Sequence, residues 1–184
     1  MANNDKIILG IDPGTLIMGY GLICLQATKT SLITLGVIEL RKYPDHFERL
    51  QHIFSRVDML IREFKPQELA IEAPFYGKNV QSMLKLGRAQ GIAMAAALSH
   101  QMKVFEYSPR KIKQSLTGNG NASKEQVAAM IQKILHFEDM PKYLDATDAL
   151  AVAVCHSYQN LLSDNEKKPR SWKDFIQKNK DRLA

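Results

Sequence analysis

Apolar runs of strand length alternate along the chain with longer amphipathic stretches. KIILGI (6–11), GYGLICLQ (19–26) and SLITLGVIEL (31–40) are rich in β-formers and closely spaced, which predicts three strands of an antiparallel meander. HFERLQHIFSRVDMLIREF (46–64) then sets Phe47, Leu50, Phe54, Val57, Ile61 and Phe64 three or four residues apart, one apolar stripe on a helix that Lys65-Pro66 ends. ELAIEAP (68–74) returns as a short apolar strand, in the manner of a βαβ crossover. Residues 79–100 are helical in pattern, with Gly87, Gly91 and Ala95 four apart so that another backbone can come close, either the chain's own sheet or a second subunit. KVFEYSP (103–109) reads as strand and GNGNA (118–122) as loop; Ser123 with Gln126 forms a capping box for a helix over 124–136. A long apolar helix, YLDATDALAVAVCHSYQNLL, follows Pro141. This order predicts an α/β domain: a mixed sheet, an antiparallel meander plus parallel strands, with helices on its faces.

The pattern ends near residue 162, so the expected division is a domain over 1–162 and a polar tail over 163–184. In that tail Trp172, Phe175 and Ile176 after Ser171 outline a short helix that docks on the body, the alternative being a disordered tail. No uncharged apolar stretch reaches the roughly 18 residues of a membrane span, and MANNDK lacks the apolar run of a signal peptide. A cytoplasmic protein with no membrane partner is expected. Cys24 and Cys155 both sit inside apolar runs and read as core thiols.

Charge changes the picture. Of the net +6, residues 73–124 hold 8 Lys+Arg against 1 Asp+Glu, whereas residues 1–72 hold 8 against 9 and residues 125–184 hold 9 against 9. A solvated face mixes signs; a stretch this one-sided points to a polyanion, foremost nucleic acid.

Four acids stand apart from that basic segment, each beside an apolar run. Asp12 and Glu72 each end a strand, in the same position relative to its apolar residues, and would meet at the carboxyl edge of the sheet if those strands are parallel neighbours. Asp145 and Asp148, three apart at a helix start, share one helix face. Singly, Asp12 serves as a turn former beside Pro-Gly, Glu72 as an edge charge, and Asp145 as a cap with Asp148 in the favourable first turn. Together they would repel severely without counter-charge, which hard divalent cations such as Mg²⁺ supply. Two such ions about 4 Å apart can activate water and stabilise a leaving oxygen in phosphodiester cleavage. His156, two turns past Asp148, is expected on the polar rim of the helix.

GIDPGTLIMGYG, AIEAPFYGKNVQSMLKLGRAQG and DATDALAVAVCH, in this order and spacing, resemble the RuvC family of bacterial Holliday junction resolvases over about residues 5–160. The resemblance implies an RNase H-like fold and a homodimer. It implies a Mg²⁺-dependent endonuclease that resolves four-way DNA junctions by symmetrical paired nicks in recombination and repair, leaving 5′-phosphate and 3′-hydroxyl ends. By position it implies Asp12, Glu72, Asp145 and Asp148 as metal-binding catalytic acids around two Mg²⁺ ions, with Mn²⁺ able to substitute; some family members carry His at the place of Asp145. It also implies catalytic roles for Lys113 and Lys124, and the RuvA–RuvB branch-migration complex as a partner. Phe75 occupies the family's junction-centre aromatic position, with Tyr76 beside it; an exposed aromatic there offers a stacking platform for an unstacked base. Lys78, Lys85, Arg88, Arg110 and Lys111 are expected as general DNA contacts.

Three other readings stay open on the residues alone. One is a related RNase H-fold nuclease on other branched DNA or structured RNA, and another is a DNA-binding module without catalysis. The third is phosphotransfer, since DPGT also resembles the phosphate turn of actin-like ATPases; 184 residues do not supply the second domain those enzymes need.

Overall fold

The computed structural model describes residues 5–27, 29–74 and 79–165. Five strands form one sheet: β1 (Lys6–Asp12), β2 (Ile17–Gln26), β3 (Lys29–Glu39), β4 (Glu68–Glu72) and β5 (Lys103–Tyr107), in the spatial order β3-β2-β1-β4-β5. The first three are antiparallel, and β4 and β5 add on in parallel to β1. The expected mixed sheet is therefore present. No helix of the described residues is long and apolar enough to cross a membrane.

Period-two alternation along the strands divides the core. Leu9, Ile11, Leu69 and Ile71 face α1 (His46–Phe64) and α2 (Val80–Ser99), while Ile8 and Ala70 face α3 (Pro109–Thr117), α4 (Lys124–Leu135) and α5 (Asp145–Asn165). The same parity turns Asp12 and Glu72 toward α5. On α1 the buried residues are Ile53, Val57, Leu60 and Ile61; Phe47, at one end of the expected stripe, is 71% exposed. Asp45 caps this helix by accepting from the Phe47 and Glu48 amides, and Lys65 ends it in the left-handed conformation at φ 50°. The capping box of Ser123 and Gln126 is formed at the start of α4.

One helix was not anticipated. The strand expected over 103–109 ends at Tyr107, and α3 starts at once, with Ser108 as its N-cap, Pro109 in its first turn and Gly118 at φ 74° closing it. Proline's missing amide and fixed φ suit a first helical turn, so Ser-Pro here starts a helix rather than ending a strand.

The seat of α5 is cut from glycine. Gly10 and Gly21 face each other across β1 and β2, and Gly19 pairs with Asp12. A Cβ on Gly10 would collide with the Ala149 carbonyl, one on Gly19 with the Asp145 carbonyl, and one on Gly21 with the Leu150 side chain. Ala146, Ala149 and Ala153 supply the matching small side chains of α5, so helix and sheet backbones come close enough to bring the first turn of α5 beside Asp12. Gly10→Ala is predicted to destabilise the fold by about 1–3 kcal/mol through overpacking. Urea unfolding checks this; an unchanged midpoint would mean that Gly10 does not set the position of α5.

Candidate active site

Asp12 is the last residue of β1 and Glu72 the last of β4. These strands are parallel neighbours up to Ile11 and Ile71, so both carboxylates leave the sheet at its carboxyl edge on the same face. The first turn of α5 lies across Gly19 and brings Asp148 to the same place. Lys113 from α3 and Lys124 from α4 complete the wall of a cleft floored by Pro109, Ile112, Val127 and Ala151. Asp145, the first residue of α5, stands outside this lining but near enough to act on Asp12.

The site carries excess negative charge. Burial, and then the charges of Glu72 and Asp148, push the Asp12 carboxyl up to about 8; Lys124 opposes the shift and Asp145 adds to it. Glu72 is pushed up to about 7 by burial and by Asp148, against the pull of Lys124 and Lys113. Lys124 Nζ donates to Asp148 Oδ2 at 2.8 Å, and this bond raises the pKa of the ammonium.

Among the described residues, no three His, Cys, Asp or Glu side chains group closely enough to hold an ion by themselves. The carboxylates stand apart, as like charges do, and Asp148 is held by Lys124. The donors are nevertheless all hard oxygens with charge to spare. That suits an ion such as Mg²⁺, which takes few protein carboxylates and keeps waters and substrate phosphate oxygens, better than a metal that demands a closed cage.

His156 is not on a rim. It is 1% exposed, with Nδ1 2.6 Å from the Tyr107 hydroxyl and Nε2 2.8 Å from Glu68 Oε2. Lys6 donates to the other Glu68 oxygen at 3.1 Å. Burial lowers the His156 pKa against the opposing pull of Glu68. This buried polar chain ties α5 to β4, β5 and β1, the elements that carry the acids or lead into α3. A single histidine in an apolar run gives no sign of which neighbours will cover it, so the sequence could not separate rim from strut. Cys155 is buried as expected, while Cys24 is only partly covered.

The other basic candidates do not enter the cleft. Lys85 and Arg88 are exposed on α2, which packs on the opposite face of the sheet. Arg110 is exposed on α3 beside Gly120, and the Lys111 ammonium lies 5.8 Å from the centre of the Tyr107 ring. Phe75, Tyr76, Lys78 and the helix expected around Trp172 lie outside the described residues. The glycine seat under α5 escaped the sequence reading, although Gly19 and Gly21, two apart on one strand face, were a signal for it.

The family model for crossover junction endodeoxyribonuclease RuvC matches residues 8–156. The chain is 61% identical to a crossover junction endodeoxyribonuclease RuvC of Cytophaga hutchinsonii, over 97% of this chain and 88% of that protein. It is 59% identical to the one of Bacteroides fragilis, over 97% and 96%. Among solved structures, Thermus thermophilus RuvC in complex with a Holliday junction substrate superposes with a TM-score of 0.80 at 31% identity, covering 86% of this chain and 96% of that one. The yeast mitochondrial Holliday junction resolvase Ydc2 shares the fold, with a TM-score of 0.62 at 17% identity.

Folded Asp12 holds its proton far more tightly than the unfolded chain does. In metal-free protein the stability therefore falls as pH rises from about 4, the ordinary carboxyl value, to about 8, and is level above that. Asp12→Asn removes this loss. In EDTA, the melting temperatures of wild type and Asp12→Asn should diverge across that window, with the variant several degrees higher by about pH 9. Parallel curves would show that Asp12 is not crowded.

Proposed function

The chain belongs to the RuvC family of crossover junction endodeoxyribonucleases, and from that premise we propose how its residues divide the work. The protein is a nuclease that resolves Holliday junctions in DNA recombination and repair, built on the RNase H-like sheet of its relatives. The observation that carries the assignment of residues is the single cleft in which Asp12, Glu72 and Asp148 face Lys113 and Lys124.

Nucleases of this family are metal-dependent. Here Asp12, Glu72, Asp145 and Asp148 would hold two Mg²⁺ ions, with Mn²⁺ as a substitute. The ions would activate the attacking water and stabilise the leaving oxygen, giving 5′-phosphate and 3′-hydroxyl ends. Asp12 and Glu72 are the residues whose protons must leave before metal binds, so metal affinity weakens as pH falls through the range about 8 to about 7 in which they titrate without metal. Lys124 keeps Asp148 in place through its hydrogen bond, and Lys113 lies close enough to Glu72 to favour its ionised form. Both ammonium groups face the cleft and neutralise charge that builds on the scissile phosphate.

Phe75 and Tyr76 follow Glu72 closely in sequence and serve as the stacking platform at the junction centre. Lys78, Lys85, Arg88, Arg110 and Lys111 bind the DNA backbone and give affinity its salt dependence. A second copy supplies the second active site. Val80, Leu84 and Leu98 are exposed on α2, and a Cβ on Gly87 or Gly91 would meet nothing within 4 Å, so this helix has an uncovered face for a symmetric partner. The dimer acts in the cytoplasm on junctions moved by a RuvA–RuvB motor.

Cleavage of a labelled synthetic four-way junction, with linear duplex alongside, tests this. Paired, ligatable nicks are expected in Mg²⁺ and none in EDTA. Lys113→Ala and Lys124→Ala should each slow cleavage by about 100-fold while junction affinity changes far less. Junction binding without cleavage under any metal would leave a binding protein and overturn the assignment.

A further inference from the structure

We propose that Gln90 is a positioning residue for cleavage: its side-chain amide fixes the strand end that presents Glu72. This inference rests on the reading of Glu72 as a site acid.

Gln90 lies on α2 and is 5% exposed. Its Nε2 donates to the Glu72 backbone carbonyl at 3.2 Å and to Glu106 Oε1 at 2.9 Å, so both hydrogens of the amide are engaged. Both partners are acceptors only, which fixes the orientation of the amide. The Glu72 carbonyl is placed where strand pairing runs out. Pairing of β4 with β1 stops at Ile71, and pairing with β5 stops at Glu72 opposite Tyr107. The next amide, that of Ala73, donates to the Tyr107 carbonyl at 2.8 Å. The peptide group linking Glu72 to Ala73 is thus held at both ends, by Gln90 on its C=O and by Tyr107 on its N–H. That peptide sets the backbone angle from which the Glu72 carboxylate projects.

Glu106 is the one acid among residues 73–124. In a segment that holds 8 Lys+Arg it is out of place, and holding Gln90 accounts for it: an exposed carboxylate gives the buried amide a charge-assisted partner.

The test compares full-length wild type, Gln90→Met, Glu106→Met, Glu106→Gln and Glu72→Gln. Junction affinity is measured in EDTA, single-turnover cleavage in Mg²⁺, and the rise in melting temperature with Mn²⁺ in the absence of DNA. Gln90→Met keeps the side-chain length and removes both donors; Glu106→Met is at an exposed position and leaves the buried residue intact. Both should cut up to about 100-fold more slowly and require more Mn²⁺ for the same thermal shift. Glu106→Gln keeps an acceptor oxygen and should restore the rate. Loss of an acid from a basic surface can only strengthen DNA binding, so slower cutting by Glu106→Met with equal or tighter junction affinity separates positioning from electrostatics. If Gln90→Met and Glu106→Met cut at wild-type rates beside an inactive Glu72→Gln, this inference alone is overturned. If Glu72→Gln cuts as well as wild type, the reading of Glu72 fails and the inference with it.

Discussion

Asp12, Glu72 and Asp148 repel one another inside a cleft whose burial of the carboxyls leaves their charges poorly screened. Two unit charges about 5 Å apart at an effective dielectric near 20 oppose each other by roughly 3 kcal/mol; burial first, and then this repulsion, make Asp12 keep its proton up to about pH 8. Charge crowded in this way costs stability, and under the proposed function divalent cations and a phosphate would offset that cost. Lys124 and Lys113 moderate the repulsion without cancelling it.

Everything that positions these acids works against their tendency to separate. The parallel pairing of β1 and β4 fixes two of them side by side at one sheet edge. The glycines at 10, 19 and 21 let α5 settle against the sheet backbone, so that Asp148 cannot retreat. Further along α5, His156 is clamped by Tyr107 and Glu68, and this anchors the helix to the strands beneath it. At the end of β4, the peptide after Glu72 is held from both sides. These contacts are spread over distant parts of the chain yet act on one cluster of carboxylates.

How much of this was legible in the sequence depends on range. Hydrophobic periodicity placed the strands and the long helices, because each must bury one face whatever its neighbours are. The acids stood out as a set, because four carboxylates beside apolar runs in one small core need counter-charge. Harder to read were features fixed by partners far away in sequence. Ser108-Pro109 reads in the sequence as the end of a strand and in the fold starts α3. Phe47 continues an apolar stripe that α2 does not cover at that point, and His156, expected on a rim, is covered by β4 and β5. Gln90 sits in a helix whose small-residue spacing, Gly87, Gly91 and Ala95, marks a different face. Periodicity carries no information on which polar side chain meets which carbonyl.

The measurement that bears most directly on this account is the anomalous diffraction of Mn²⁺ in crystals of the protein bound to an uncleaved junction. The account predicts Mn²⁺ peaks within coordination distance of Asp12, beside Glu72 and Asp148, and in contact with a phosphate of the junction. Peaks elsewhere with that cleft empty, or a junction whose backbone passes far from Asp12, would contradict it.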